Sequence, residues 1–255
     1  ILLRVFVMKT RIFAAAAMAA ALFAGTVQAA EELRVGTHPT FAPFEFLDTQ
    51  SREYVGFDMD LIREIGKRAG YDVKLVNMGF DGLIPALFTG AIDIAVSGIT
   101  ITEDRKKKVD FCEPYYEAGQ GLLVRTKDVE KYKDLTSLEG KTVAVQIGTT
   151  GADVAKGIKG AHIKAFNTGA EAFQDLKLQG SDAVITDRPV IGYFMVKNAR
   201  AAKGLTMQKT RLDSEYFGFA VKKGNDKVKN AVDKALKEMR EDGSYQTIYK
   251  KWFGD

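Results

Sequence analysis

The sequence is short of the residues that most enzyme and metal chemistry needs. Among 255 residues there is one cysteine, Cys112, and there are two histidines, His38 and His162. A lone thiol closes no internal disulfide, so stability must come from ordinary hydrophobic cores. Two distant histidines and one cysteine make no zinc set, and neither HExxH nor CxxC occurs. A Gly-x-Ser-x-Gly elbow is also missing. No catalytic residue, metal or cofactor is therefore expected, and Cys112 reads as a partly buried, inert thiol. Repeats and low-complexity linkers are absent too, and prolines number only 5. What remains is 46% hydrophobic and 27% charged residues, which suits one large or two ordinary domains and excludes a disordered chain.

A formal charge of +4 invites a polyanionic partner, but the location of the charge argues otherwise. The first 29 residues hold Arg4, Lys9 and Arg11 and no acid, and setting those three aside leaves 34 of the 37 basic residues against 33 acids, or +1. From Met8 the chain reads MKTRIF, then an apolar run Ile12–Ala24, then small residues at Val27 and Ala29. This pattern is a secretory signal peptide, residues 8–29, cleaved after Ala29, with 1–7 upstream and without a role. Thirteen apolar residues span only ~20 Å as a helix, short of a ~30 Å bilayer core. With no cysteine after the cleavage site, a lipid anchor is not expected. The mature chain should be a free periplasmic monomer that binds no nucleic acid.

Strand and helix patterns alternate along it. Leu33–Gly36 reads as a strand, Phe57–Ala69 as an amphipathic helix stopped by Gly70, and Tyr71–Val76 as a strand. Asp81 is expected to cap a helix through Thr89, Ile92–Val96 to be a buried strand, and Thr102 to head a helix over 103–108. The pattern then recurs: strands at Lys141–Gln146, His162–Phe166 and Asp182–Thr186, and helices from Thr150, Ala170 and Pro189. A last strand is expected near Glu215–Val221, then two helices over 226–253 broken near Asp242–Gly243. Such alternation predicts α/β architecture. The strand-like stretches Tyr115–Val124 and Asp213–Phe219 lie between βα blocks and suit two crossings between lobes. The expected domains are lobe 1 at 30–116 plus 214–255, lobe 2 at 120–211, and hinges near 115–120 and 211–217.

Open α/β sheets bind ligands at the carboxyl ends of their strands. Arg105 follows such an end, beside Gly98, Thr100 and Thr102, and suits a carboxylate; alternatively it belongs to the solvated run Arg105–Lys108. Asp187 closes another strand, where it is an ammonium partner or an N-cap for the helix at Pro189. Gly148-Thr149-Thr150-Gly151 lies between a strand and a helix and could receive an anion, though it lacks a phosphate-loop lysine. Phe41, Phe44, Phe46 and Phe80 are core residues or cleft walls.

Seven segments carry a resemblance: FAPFEF at Phe41–Phe46, VGFDMDL at Val55–Leu61, GFDGLIPAL at Gly79–Leu87, SGITITEDR at Ser97–Arg105, VAVQIGTTG at Val143–Gly151, DAVITD at Asp182–Asp187 and IYKKWFG at Ile248–Gly254. In this order they resemble the polar-amino-acid-binding proteins of bacterial ABC importers, the glutamine, histidine and arginine binders of solute-binding protein family 3. The resemblance implies two Rossmann-like lobes joined by two hinge strands, a type II periplasmic binding protein, closing on a free amino acid. It also implies permease and ATPase subunits as partners. By its pattern Arg105, Thr100 and Thr150, with backbone at Gly98, hold the α-carboxylate. Asp187, the Gly98 carbonyl and the Thr100 hydroxyl hold the α-ammonium, and Phe41 and Phe80 sandwich the side chain. Ser97 and Thr149 complete the candidate set. Two positions depart from the glutamine binders: His38 stands where they carry aspartate and Gln146 where they carry lysine. Both can donate and accept hydrogen bonds, so a neutral polar ligand such as glutamine is expected first and basic amino acids second. The rival reading is a dehydratase of cyclic carboxylic acids on the same scaffold, for which Glu45 and Glu117 are the nominated general acids.

Overall fold

The computed structural model describes residues 30–254; the expected signal peptide and the residues before it lie outside the described residues. Along the chain the strands are β1 (Glu31–Thr37), β2 (Thr40–Phe41), β3 (Glu45–Leu47), β4 (Tyr54–Val55), β5 (Tyr71–Asn77), β6 (Ile94–Ala95), β7 (Val109–Phe111), β8 (Tyr116–Ala118) and β9 (Gln120–Arg125). Then follow β10 (Thr142–Gln146), β11 (His162–Phe166), β12 (Ala183–Asp187), β13 (Leu205–Met207), β14 (Glu215–Phe217) and β15 (Ala220–Lys222).

Two five-stranded sheets organise them, in the orders β5-β1-β6-β15-β7 and β11-β10-β12-β9-β13. Each has the same construction. In the first, β1 and β6 run parallel, with Val35 opposite Ile94, and β15 enters antiparallel between β6 and β7. In the second, β10 runs parallel to β11 and β12, and β9 enters antiparallel between β12 and β13. The entering strand in each sheet arrives through a separate ribbon, in which β8 pairs antiparallel with β14 and Phe217 lies opposite Tyr116. The chain leaves the first sheet through β8 and returns through β14. Two α/β lobes joined by two strands are thus observed, as the alternation predicts.

Helix Phe57–Ala69 keeps its expected bounds because its apolar residues recur at helical spacing: Phe57, Leu61, Ile62 and Ile65 are all buried. Gly70 ends it in the left-handed conformation at φ 77°, donating its N–H to Gly66 O. Helices Asp226–Glu241 and Ser244–Phe253 break at Asp242–Gly243 as expected. Several boundaries differ. Asp81 does not cap a helix; it lies inside a 3-10 turn, Phe80–Gly82, and helix Leu83–Thr89 starts from Gly82 without a side-chain cap. The expected strand Ile92–Val96 shrinks to β6, flanked by backbone hydrogen bonds from Asp93 N to Arg34 O and from Val96 N to Gly36 O, each 2.8 Å. The expected last strand splits into β14 and β15 at Gly218, where a Cβ would lie 2.8 Å from the Ile101 side chain.

The core nearest the ribbon is aromatic. Phe57 stacks edge-on against Phe44, Tyr116, Tyr245, Tyr249 and Phe253, with ring centroids 5.1–6.3 Å apart. It is wholly buried. Phe57→Ala should destabilise the protein by about 3–5 kcal/mol, read as a lower midpoint in urea unfolding followed by tyrosine fluorescence.

Candidate functional site

All eleven residues singled out from the sequence, together with Glu45, line one narrow cavity between the two lobes. The first lobe supplies His38, Phe41 (on β2, in a small sheet with β3 and β4), Phe80, Ser97, Gly98, Thr100 and Arg105, whereas Gln146, Thr149, Thr150 and Asp187 come from ends of second-sheet elements.

Arg105 sits in the short helix Glu103–Lys106, whose N-cap Thr102 accepts the Arg105 N–H. Its guanidinium donates to the Thr100 carbonyl at 2.9 Å and to the Gly148 carbonyl at 3.0 Å, one from each lobe. A guanidinium has five N–H donors, so donors remain for a carboxylate. The guanidinium carbon lies 5.7 Å from the centre of the Phe80 ring, which steers the fork. Burial lowers its pKa, opposed by the nearby charges of Glu215, Asp153 and Asp187. Arg105 is therefore set apart from its neighbours Lys106 and Lys107, which pair with Glu103 and Asp104 on the surface.

Asp187 stands at the N-cap position of helix Arg188–Lys197, yet its side chain caps nothing. Its Oδ1 accepts instead from the Gln120 amide at 3.3 Å. Only 5% of the residue is exposed, and burial, reinforced by the charge of Glu215, pushes its pKa up to about 8. Glu215 opens β14. Its Oε2 accepts from Thr100 Oγ1 at 3.2 Å, Thr150 Oγ1 at 3.1 Å and Gln120 Nε2 at 3.0 Å. Thr149 faces the same cavity, but its hydroxyl is spent locally: it donates to Gln146 O and accepts the Ala152 N–H as a helix cap.

At the other end of the cavity Gln146 Nε2 lies 3.2 Å from His38 Nδ1, a second contact between lobes. Burial lowers the His38 pKa, with Asp81 and Glu171 opposing. Phe41 packs against Gly98, where φ is +53° and a Cβ would lie 2.8 Å from the Phe41 ring. Only glycine fits both the backbone and the contact.

Glu45, in the cavity wall, and Asp58 form a pair of buried carboxyl groups. Ser97 Oγ accepts the His38 N–H and donates to Glu45 Oε1 at 2.8 Å. Asp58 Oδ2 accepts from Gly98 N at 2.9 Å and from Tyr115 Oη at 2.8 Å. The two remaining oxygens, Glu45 Oε2 and Asp58 Oδ1, have no other partner. Burial holds Glu45 protonated, far above the usual carboxylate range, and its proton serves the hydrogen bond to Asp58, whose pKa burial raises to about 6. Glu117, the other nominated acid, pairs with Arg211 and does not line the cavity. Cys112 is buried rather than partly buried, and desolvation raises its pKa against thiolate formation.

The family of bacterial extracellular solute-binding proteins, family 3, matches residues 33–255. The chain belongs to this family. It is a solute-binding protein and not an enzyme. Among curated family members, a probable histidine-binding protein of Campylobacter jejuni is 35% identical over 221 residues, covering 86% of this chain and 84% of the relative. An ancestral arginine-binding protein solved with arginine superposes with TM-score 0.82 at 44% identity, covering 89% of this chain and 100% of that one. An ancestral arginine-binding protein solved with glutamine gives 0.80 at 45% identity, covering 88% and 98%.

Gln120, Asp58 and Glu215 escaped the sequence reading. Gln120 and Glu215 lie in strand-like stretches that carry no local signal, and Asp58 occupies a helix position that reads as solvated. For Asp187 the sign of its pH effect is fixed: its folded pKa, about 8, lies above the ordinary 3.8, so the empty protein loses stability as pH rises through that window. Asp187→Asn should leave stability near pH 4 little changed and raise it at pH 9 by on the order of a few kcal/mol, as read from thermal melts of ligand-free protein.

Proposed function

We propose that the cavity captures one polar L-amino acid and that the protein is the periplasmic receptor that presents it to the permease and ATPase subunits of an ABC importer. In this reading the chain is exported by the leader at 8–29, and the lobes close about hinges near 115–120 and 211–217. The observation that carries it is the facing of Arg105 and Asp187 across one cavity, neither neutralised by a direct ion pair with the other. A buried ion costs several kcal/mol unless it is paired. A zwitterion supplies the missing partner to each: carboxylate to Arg105, ammonium to Asp187.

Glutamine is the favoured ligand, with basic amino acids second. The contact between Gln146 and His38 supports this order. If Gln146 Nε2 donates to His38 Nδ1, the ring proton sits on Nε2 and is free to be donated. An amide side chain can accept that proton, whereas a guanidinium or ammonium has only donors to offer. The glutamine bound in the ancestral relative fits the same choice.

A thermal-shift screen of the twenty amino acids tests the reading. At 100 times Kd the ligand should stabilise by ~2.7 kcal/mol, and no shift with any of them would sink the proposal. Arg105→Ala should weaken binding at least ~100-fold whatever the ligand, by loss of a buried charge partner. Substitutions of His38 and Gln146 should mainly re-rank ligands.

Binding should also release protons. An ammonium beside Asp187 favours its ionised form, so at pH 7 the group must give up the proton that its pKa of about 8 retains in the empty cleft. Calorimetry in buffers of different ionisation enthalpy should report release approaching one proton. Affinity should fall as pH drops below about 8.

A further inference from the structure

Glu215 belongs to neither sheet. It lies on β14, in the ribbon that joins them, and pairs in register with Ala118. Yet its Oε2 is the meeting point of two of the cavity's hydroxyls, Thr100 from the first lobe and Thr150 from the second, 3.2 and 3.1 Å away. Gln120, from the start of β9, adds a third donor at 3.0 Å.

Proton inventory turns this geometry into a statement about the ligand. A threonine hydroxyl has one proton and two lone pairs. With both protons directed to Glu215, neither hydroxyl has one left for a ligand carboxylate, and each can only accept. Gln120 Nε2 also lies 3.0 Å from Thr150 Oγ1, and its two protons are shared among that oxygen, Glu215 and the more distant Asp187. Thr100 Oγ1 lies 3.4 Å from Thr150 Oγ1 and keeps a lone pair for the cavity. The ligand group that such an oxygen suits, beside the Asp187 carboxylate, is a cation.

We propose that Glu215 is a positioning residue that orients the Thr100 and Thr150 hydroxyls as acceptors, assigns this end of the cavity to the ligand's α-ammonium, and ties both lobes to the ribbon when they are closed. The proposal rests on the amino-acid reading above and refines it: Thr100 and Thr150 serve the ammonium end, and the carboxylate is left to Arg105 and backbone N–H groups. Glu215 touches no ligand; it acts through the threonines and through its charge on Asp187. The titratable groups facing Asp187 are Glu215 and Asp213 from the returning segment, Tyr116 from β8, and Arg105 and the protonated Glu45 in the cavity wall.

The test uses the full mature chain, wild type and two variants, with the amino acid that the wild type binds tightest among the twenty as probe. Glu215→Ala should lose affinity at least ~30-fold at pH 7, through two misdirected hydroxyls. Glu215→Gln keeps an acceptor oxygen for the hydroxyls and should stay within ~10-fold of wild type. It also removes an anion from beside Asp187, so the pH below which affinity begins to fall should move down by about one unit. A purely structural role for Glu215 would leave that pH unmoved. The proposal is overturned if Glu215→Ala binds within about threefold of wild type, or if Glu215→Gln keeps the wild-type pH profile. Should Glu215→Ala fail to fold, the near-isosteric Glu215→Gln decides by its pH profile alone. Wild-type protein that binds none of the twenty would instead overturn the amino-acid reading, and this proposal with it.

Discussion

Asp187 is a carboxylate buried at the end of a strand and held by an amide, Gln120, where an ion would serve it better. Much of the cleft follows from that mismatch. Its backbone position at the start of helix Arg188–Lys197 is set by β12 and by Pro189, so the group has no freedom to reach solvent. Burial without a cation raises its pKa to about 8. Across the cavity Arg105 has the complementary deficit, since carbonyl groups solvate its guanidinium but do not neutralise it. A protein selected for stability alone would remove both groups or join them. Leaving them unjoined in one cavity lets each gain from a ligand group of opposite charge.

The same groups link the site to the lobes' arrangement. Three contacts cross between lobes around the cavity: Arg105 to the Gly148 carbonyl, the threonine pair through Glu215, and Gln146 to His38. Each uses a residue that also faces the cavity or adjoins one that does. A ligand that satisfies Arg105 and Asp187 therefore acts on the elements that hold the lobes together. The carboxyl pair Glu45–Asp58 extends this coupling downward, because Asp58 holds both the Gly98 N–H and the hydroxyl of Tyr115, next to β8. Loop, cavity floor and ribbon are joined by four hydrogen bonds among buried groups, where the low dielectric makes each stronger.

The sequence disclosed the parts of this arrangement that obey local rules. Periodicity marks helix Phe57–Ala69 and the two C-terminal helices, and strand ends nominate Gly98, Arg105 and Asp187, with the family resemblance favouring cleft roles over a solvated run and an N-cap. What it concealed depends on partners far along the chain. Glu215 meets Thr100 across 115 positions and Gln120 across 95, and nothing near any of them announces the meeting. Asp58 sits at a polar-looking position of an amphipathic helix yet is wholly buried, because Gly98 and Tyr115 fold over it.

The cavity thus divides into two ends with different physical duties. At the Arg105–Asp187 end the groups are charged and buried, and their hydrogen-bond directions are set by Glu215 and by backbone carbonyls. Removing any of them leaves an ion unpaired, so this end sets whether binding occurs at all. At the His38–Gln146 end both side chains are neutral and amphoteric, and they bond to each other across the lobes at 3.2 Å. A ligand side chain there exchanges one neutral hydrogen bond for another, worth only about 1 kcal/mol net. Such an end ranks ligands gently, by donors and acceptors matched or opposed. Affinity and selectivity therefore reside in different residues, and selectivity can change at His38 and Gln146 while the charged end and the ribbon behind it stay intact.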